Sequence, residues 1–276
     1  MIAPLRNTPT DQQPWEGSCK VKPWEYKICA VVPVLDTVIP LKIVVELLRH
    51  QTEKPYIVVV DTGSMPDKLL QIEAMRADDL EVHSIRLNGV LHPSDFPAIA
   101  MDLAFSLCRS PYMFCTHADC FIKRQDLLAD MLVMCEECKA VGYEITPRKH
   151  EDWQGMLGHT CTMLDMQTMD ICGAGWSLRR LATLFDIEDH KPNPMRPNWP
   201  DTELLLNYML RNAGIEACIM GTEENFQRNV NEDFDHCRTL TGGLLYSPEY
   251  YHKAKRWVDD AMRQAKDRIA DWEQTS

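Results

Sequence analysis

The sequence lacks any run of about 18 uninterrupted apolar residues, so no membrane span is expected in it. Its opening, "MIAPLRNTPTDQQP", has no charged leader followed by an apolar stretch, so no secretory signal is expected either. An excess of positive charge is also missing: 29 Lys plus Arg stand against 41 Asp plus Glu, a net charge of −12. Such a chain has no global pull toward nucleic acid or an anionic membrane, which leaves only a local basic patch for either. Internal repeats and low-complexity tracts are absent. Eleven cysteines are present, but in a chain of 276 residues without a leader they do not read as a small disulfide framework. Those in apolar segments, such as Cys29 and Cys115, read as small hydrophobes, and a reduced, cytoplasmic setting is expected. "CEEC" (135–138) has zinc-like spacing, yet it is a single pair on a predicted helix with no second pair suitably placed, so structural cysteines are expected there.

What the sequence does have is alternation. "YKICAVVPVL" (26–35), "YIVVVD" (56–61), "EVHSIRL" (81–87), "YMFCTHAD" (112–119) and "AVGYEIT" (140–146) read as strands. Helical patterns lie between them over about 41–51, 66–76, 96–108 and 124–137. The run Ile57–Val60 is continuous rather than alternating, which is how a strand covered on both faces reads. The pattern predicts an α/β fold with a mostly parallel, Rossmann-like sheet flanked by helices. Residues 1–24 read as an irregular arm, and "HKPNPMRPNWP" (190–200), with four prolines, as a loop. That loop leads into a helix over "DTELLLNYMLRNAG", closed by Gly214. "SPE" (247–249) opens a final charged helix with a serine cap and a proline in the first turn. The expected organisation is one α/β domain over 25–245 and a C-terminal helix over 246–276.

Two carboxylates fall at strand ends: Asp61 closes "YIVVVD" and Asp119 closes "YMFCTHAD". Open α/β sheets bind ligands in the crevice beyond the carboxyl ends of their strands. A shared sheet edge therefore makes both residues ligand candidates. The competing reading for Asp61 is that it only caps the next turn.

The stretch "ICAVVPVLDTVIPLKIVVELLRHQTEKPYIVVVDTGS" (28–64) resembles the start of a family-two glycosyltransferase of the GT-A fold. That family runs a strand into a proline and a short polar turn, then a helix ending in S-L-x-x-Q-T, then a strand closing on V-D-D-G-S. The equivalents are Pro33, "LLRHQT" and "VVDTGS", and "THADCFIKRQDLL" sits where the family carries its D-x-D metal motif. The likeness covers about 28–130 and continues patchily through "WPDTELLLNYMLRNAG" (199–214).

The resemblance implies a metal-dependent, inverting enzyme that moves a sugar from a nucleotide-sugar donor to an acceptor hydroxyl. Asp61 would accept a hydrogen bond from the donor's base, bordered by Pro33 and Asp36. Asp119 would bind a divalent cation, Mn²⁺ or Mg²⁺, that neutralises charge on the leaving diphosphate. Asp201 matches the catalytic base, with Glu203 as its nearest rival. His236, in "NEDFDHCRTL", would close the metal site from the C-terminal side, with Arg238 offsetting diphosphate charge. The competing reading for His236 is a surface loop.

The chain departs from the family twice. The D-x-D motif is His117-Ala118-Asp119, and the second Asp of D-D-G-S is Thr62. His117 is thus a candidate ligand or donor-side partner, and an imidazole tilts preference toward Mn²⁺; otherwise it only bonds nearby backbone. "GHTCTM" (158–163) and "CGAGWSL" (172–178) read as the acceptor side, with His159 and Trp176 as a platform and core packing as the alternative for Trp176. "EYYHKAKRW" (249–257) reads as a solvated amphipathic helix. The rival functions are a nucleotidyltransferase and a non-catalytic sugar-nucleotide-binding protein. The first would carry a Gly-rich basic loop directly after the first strand, which "PVLDTVIP" lacks. The acceptor stays open among a glycan, a small molecule and a modified DNA base.

Overall fold

The computed structural model describes residues 23–86, 95–145, 156–177, 180, 202–223, 229–237 and 248–275. The two apolar runs near the N-terminus become strands β1 (Ile28–Val34) and β2 (Tyr56–Asp61), with every residue buried. Successive side chains of a strand go to opposite faces. Ile28, Ala30, Val32 and Val34 enter one apolar cluster, while Cys29 and Val31 enter another on the other side. Both faces are covered, so neither strand shows a polar period.

Among the described residues eight further strands follow: β3 (Leu80–Ser84), β4 (Tyr112–Cys115), β5 (Cys120–Ile122), β6 (Ala140–Ile145), β7 (Thr162–Asp165), β8 (Cys218–Glu223), β9 (Asn229–Val230) and β10 (Phe234–His236). Seven of the ten form one sheet in the order β3-β2-β1-β4-β7-β6-β8. The first four of that order are parallel, β7 runs antiparallel to both β4 and β6, and β8 is parallel to β6. The sheet is flanked by helices, as expected. One face carries α1 (Val38–Arg49), α4 (Leu127–Cys138) and α7 (Pro248–Thr275). The other carries α3 (Asp95–Leu107), α5 (Met166–Cys172) and α6 (Leu204–Asn212), while α2 (Pro66–Glu73) is short and contributes Ile72 to the first face.

Strand order reverses at β1, with β2 and β3 on one side and β4 on the other. That reversal is the switch point where such sheets open a crevice. A second, three-stranded antiparallel sheet has the order β5-β10-β9, and its first strand follows the turn after β4.

Three differences from the sequence reading matter. The strand expected over 112–119 divides. β4 stops at Cys115, the N–H of Thr116 still reaches Val31 O (3.1 Å), and a turn closed by Cys120 N–H on His117 O (3.2 Å) sends β5 into the small sheet. Asp119 therefore stands in that turn rather than on a strand. The helix expected from residue 41 begins at Val38, because Pro40 lies in the first turn, where a missing N–H costs nothing. The C-terminal helix is present as expected, and Val258, Ala261 and Ala265 of α7 are buried in the cluster that holds α1 and β5. Finally, not all cysteines are thiols: Cys138 at the end of α4 is bridged to Cys218 at the start of β8, Cα atoms 5.8 Å apart. The eight other described cysteines are free, all but Cys172 buried, and burial pushes the Cys115 and Cys135 thiols up. Among the described residues no helix is long and apolar enough to cross a membrane.

Candidate active site

On the side of the crevice toward β2, two loops are stapled together. Asp61 ends β2 and is 1 % exposed; its carboxylate accepts the N–H of Gly63 (3.2 Å) and of Ser64 (3.1 Å). The capping reading is thus realised, and it fixes the turn in which Gly63 takes φ +115°, a conformation open to glycine. Ser64 Oγ then accepts the N–H of Asp36 (2.7 Å), and the Asp36 carboxylate accepts the N–H of Met65 (2.7 Å). Asp36 itself holds φ +58°, tolerated by aspartate better than by most residues. Thr62, where the family has a second Asp, donates from its hydroxyl to Val34 O at 3.2 Å. Pro33 lies buried in β1 beside Val60. The loops after β1 and β2 therefore form one rigid wall.

On the side toward β4, three potential ligands meet. His117, Asp119 and His236 each offer a donor atom, and these atoms all lie within 4.8 Å of one another. Nε2 of His236 is 3.5 Å from Oδ1 of Asp119, and the His117 and His236 ring centroids are 5.0 Å apart. Metal–donor bonds of about 2.1 Å place neighbouring donors about 3 Å apart and opposite ones about 4 Å apart, so the three donors need to draw in only slightly to hold one cation. Two imidazoles with one carboxylate suit a borderline metal better than Mg²⁺. His236 is not a surface residue: it is 4 % exposed, in β10, paired with Cys120 of β5. Thr160 Oγ1 lies 3.4 Å from its Nδ1. The Thr160–Thr162 segment comes so close to β6 that a Cβ on Gly142 would sit 2.5 Å from Thr162 Oγ1. Asp235, next in β10, acts electrostatically on Arg268 of α7, whose guanidinium is pulled down by burial.

The acceptor side differs from expectation. Trp176 is fully buried and its backbone N–H donates to Asp102 (2.7 Å), so it is core and not a platform. Burial raises the Asp102 carboxyl against that bond. His159 does reach the site: its ring centroid is 4.3 Å from that of His117, and its Nδ1 is hydrogen-bonded to Oε1 of Glu203. Glu203, 2 % exposed, sits at the start of α6. Asn207 braces this corner, accepting the N–H of Leu157 (2.8 Å) and donating to Leu157 O (2.9 Å) and Glu203 O (2.9 Å). Its one signal in the sequence is a polar residue among the leucines of "LLLNYML". Asp201 and Arg238 lie outside the described residues, as do 1–22 and the proline-rich stretch 190–200.

Sheet order and switch point together define an α/β protein with the GT-A type of fold. More narrowly, residues 29–188 match the family model of Glycosyl transferase family 2, and the chain belongs to that family of glycosyltransferases. No curated protein matches the chain by sequence. Among solved structures it is similar to the mannosyltransferase PcManGT from Pyrobaculum calidifontis in complex with GDP-Man and Mn²⁺, at 14% identity, TM-score 0.50, covering 91% of this chain and 77% of that one. It is also similar to TarS 1-349 of S. aureus, at 11% identity, TM-score 0.47, over 89% of this chain and 70% of that one. A third is glucosyl-3-phosphoglycerate synthase from Mycobacterium tuberculosis in complex with phosphoglyceric acid, at 10% identity, TM-score 0.44, over 71% of each chain. At such identities what is shared is the fold.

Proposed function

We propose that this glycosyltransferase is metal-dependent and inverting, and acts on an acceptor hydroxyl. The observation that carries the reading is the cluster of His117, Asp119 and His236 beyond β4, at the same carboxyl edge of the sheet as the stapled loops after β1 and β2. These three residues would hold a divalent cation, with imidazoles favouring Mn²⁺ over Mg²⁺. When bound, such a cation offsets the negative charge that grows on the departing diphosphate.

The chain's own residues do the rest. The wall of Pro33, Asp36 and Asp61 receives the donor's nucleoside, and Asp61, held by two backbone N–H groups, keeps lone pairs for the base. Arg238 adds positive charge at the diphosphate. Asp201 removes the proton from the attacking hydroxyl, two residues before Glu203. An already activated leaving group needs no acid, so a single base on the far side of the sugar suffices and inversion follows.

A panel of nucleotide sugars, assayed with Mn²⁺, with Mg²⁺ and after chelation, tests this. One donor should be turned over with Mn²⁺ and lost on chelation, and NMR of the product should show the opposite anomeric configuration. Turnover that survives chelation would remove the metal from the mechanism; a retained anomer would remove the single-base scheme.

A further inference from the structure

We propose that Glu203 and His159 are a positioning pair for the His117 imidazole, an inference that rests on the metal-dependent reading above. His117 is half-buried in the turn between β4 and β5. Its ring lies against two others, His159 at 4.3 Å and His236 at 5.0 Å between centroids. His236 is held by its strand, and His159 is held by Glu203. An ionised carboxylate only accepts, so the shared proton sits on Nδ1 of His159, and tautomer and ring plane are set together.

Glu203 is itself anchored. Its backbone carbonyl accepts from the N–H (3.1 Å) and the side-chain amide (2.9 Å) of Asn207, and Asn207 also clamps Leu157, two residues before His159. Both ends of the pair are therefore tied to one side chain. A carboxylate taken out of water is costly unless bonded, and α6 already has Leu205, Leu206 and Leu210 to bury. Packing alone gives no reason for an acid here. Alignment of a ligand does: groups that orient a ligating imidazole typically change metal affinity by about 10- to 100-fold. The result is a continuous line from the acceptor-side helix α6, through Glu203 and His159, to the metal-side imidazole.

The test is calorimetric titration of Mn²⁺ alone into the full chain, comparing wild type, Glu203→Leu, His159→Phe, the double variant and Glu203→Gln. Each of the first two should weaken Mn²⁺ by about 10-fold, and should narrow the preference for Mn²⁺ over Mg²⁺, as an imidazole drops out of alignment. The double variant should be no weaker than the worse single one, because the two residues act in series. Glu203→Gln, whose amide oxygen still accepts from Nδ1, should stay within about threefold of wild type. Thermal unfolding without metal separates a merely structural role, which lowers stability and leaves the metal preference unchanged. If Glu203→Leu does not fold, His159→Phe, which keeps a ring against His117, decides alone. Unchanged Mn²⁺ affinity in folded single variants, or losses that add in the double, would overturn the positioning role. A wild-type chain that binds no Mn²⁺ would instead overturn the metal reading beneath it.

Discussion

On the β2 side of the crevice, proposed above to take the nucleoside, one oxygen of Asp61 accepts the N–H of Gly63 and the other that of Ser64, whereas on the β4 side, proposed to hold the metal, Asp119 meets Nε2 of His236 at 3.5 Å. Both carboxylates are buried, at 1 % and 8 % exposure, yet their charges are compensated differently. Backbone N–H groups satisfy Asp61 and, in doing so, shape a turn. A carboxylate facing imidazoles is compensated fully only when positive charge arrives. Losing the first kind of acid should therefore cost stability and donor affinity, and losing the second should cost turnover. The two sides of one site become separable by measurement.

The largest effect is expected from Asp201→Asn. An amide keeps nearly the shape of the carboxylate but cannot take a proton, so transfer should fall by roughly 10²–10⁴ with donor affinity nearly unchanged. Near-normal turnover in this variant would move the base elsewhere, with Glu203 a poor successor because its carboxylate is buried against His159. Next comes Asp119→Ala, with turnover down by about 10²–10³ and thermal unfolding close to wild type. A variant that lost its fold instead would place Asp119 with Asp61, on the shape-making side.

These two sides were not equally legible in the sequence. β1 and β2 announce themselves as continuous apolar runs, and Asp61 follows directly from where the second run stops. The metal side depends on long-range pairing. His236 is beside Asp119 because β10 pairs with β5, bringing together positions that are more than a hundred residues apart in sequence. Only the likeness to a family singled it out. His159 and Glu203, 44 positions apart, each had a reading of its own, but nothing local says that they touch. The same holds for Cys138 and Cys218, 80 positions apart. Trp176 misled for a different reason. An aromatic in a glycine-bearing segment reads alike as core or as platform, and only its complete burial in the cluster under α3 decides.

Asp61→Asn sharpens the contrast at an intermediate size. The amide oxygen can accept one of the two N–H groups, but its NH₂ would face the other. Hydrogen bonds to a charged group contribute about 1.5–3 kcal/mol, and part of that should be lost from stability. For a chain this long each kcal/mol corresponds to roughly 2–4 °C in melting temperature. The donor KM should rise while kcat changes little. A large drop in kcat at unchanged stability would move Asp61 to the chemical side and break the comparison.

The smallest effect, and the cleanest test of the stapled wall, is Ser64→Ala. The Ser64 hydroxyl accepts the Asp36 N–H at 2.7 Å and thereby joins the loop after β2 to the loop after β1. Ser64 is buried, but Asp36 is only half-buried, so water can reach the N–H once the hydroxyl is gone. That puts the cost at the low end of a single hydrogen bond, about 0.5–1 kcal/mol. The released Asp36 also loses its reason to hold φ +58°, a conformation costing about 1 kcal/mol, and relaxation there recovers part of the loss. Melting temperature should therefore fall by only about 2–3 °C. The wall, however, should loosen: as Asp36 leaves its place, the bond from Met65 N–H to its carboxylate goes with it. Donor KM should then rise a few-fold, by about the equivalent of one neutral hydrogen bond, while kcat and Mn²⁺ affinity stay at wild-type values. A fall in Mn²⁺ affinity would show that the wall and the metal cluster move together, and the two sides would then have to be treated as one.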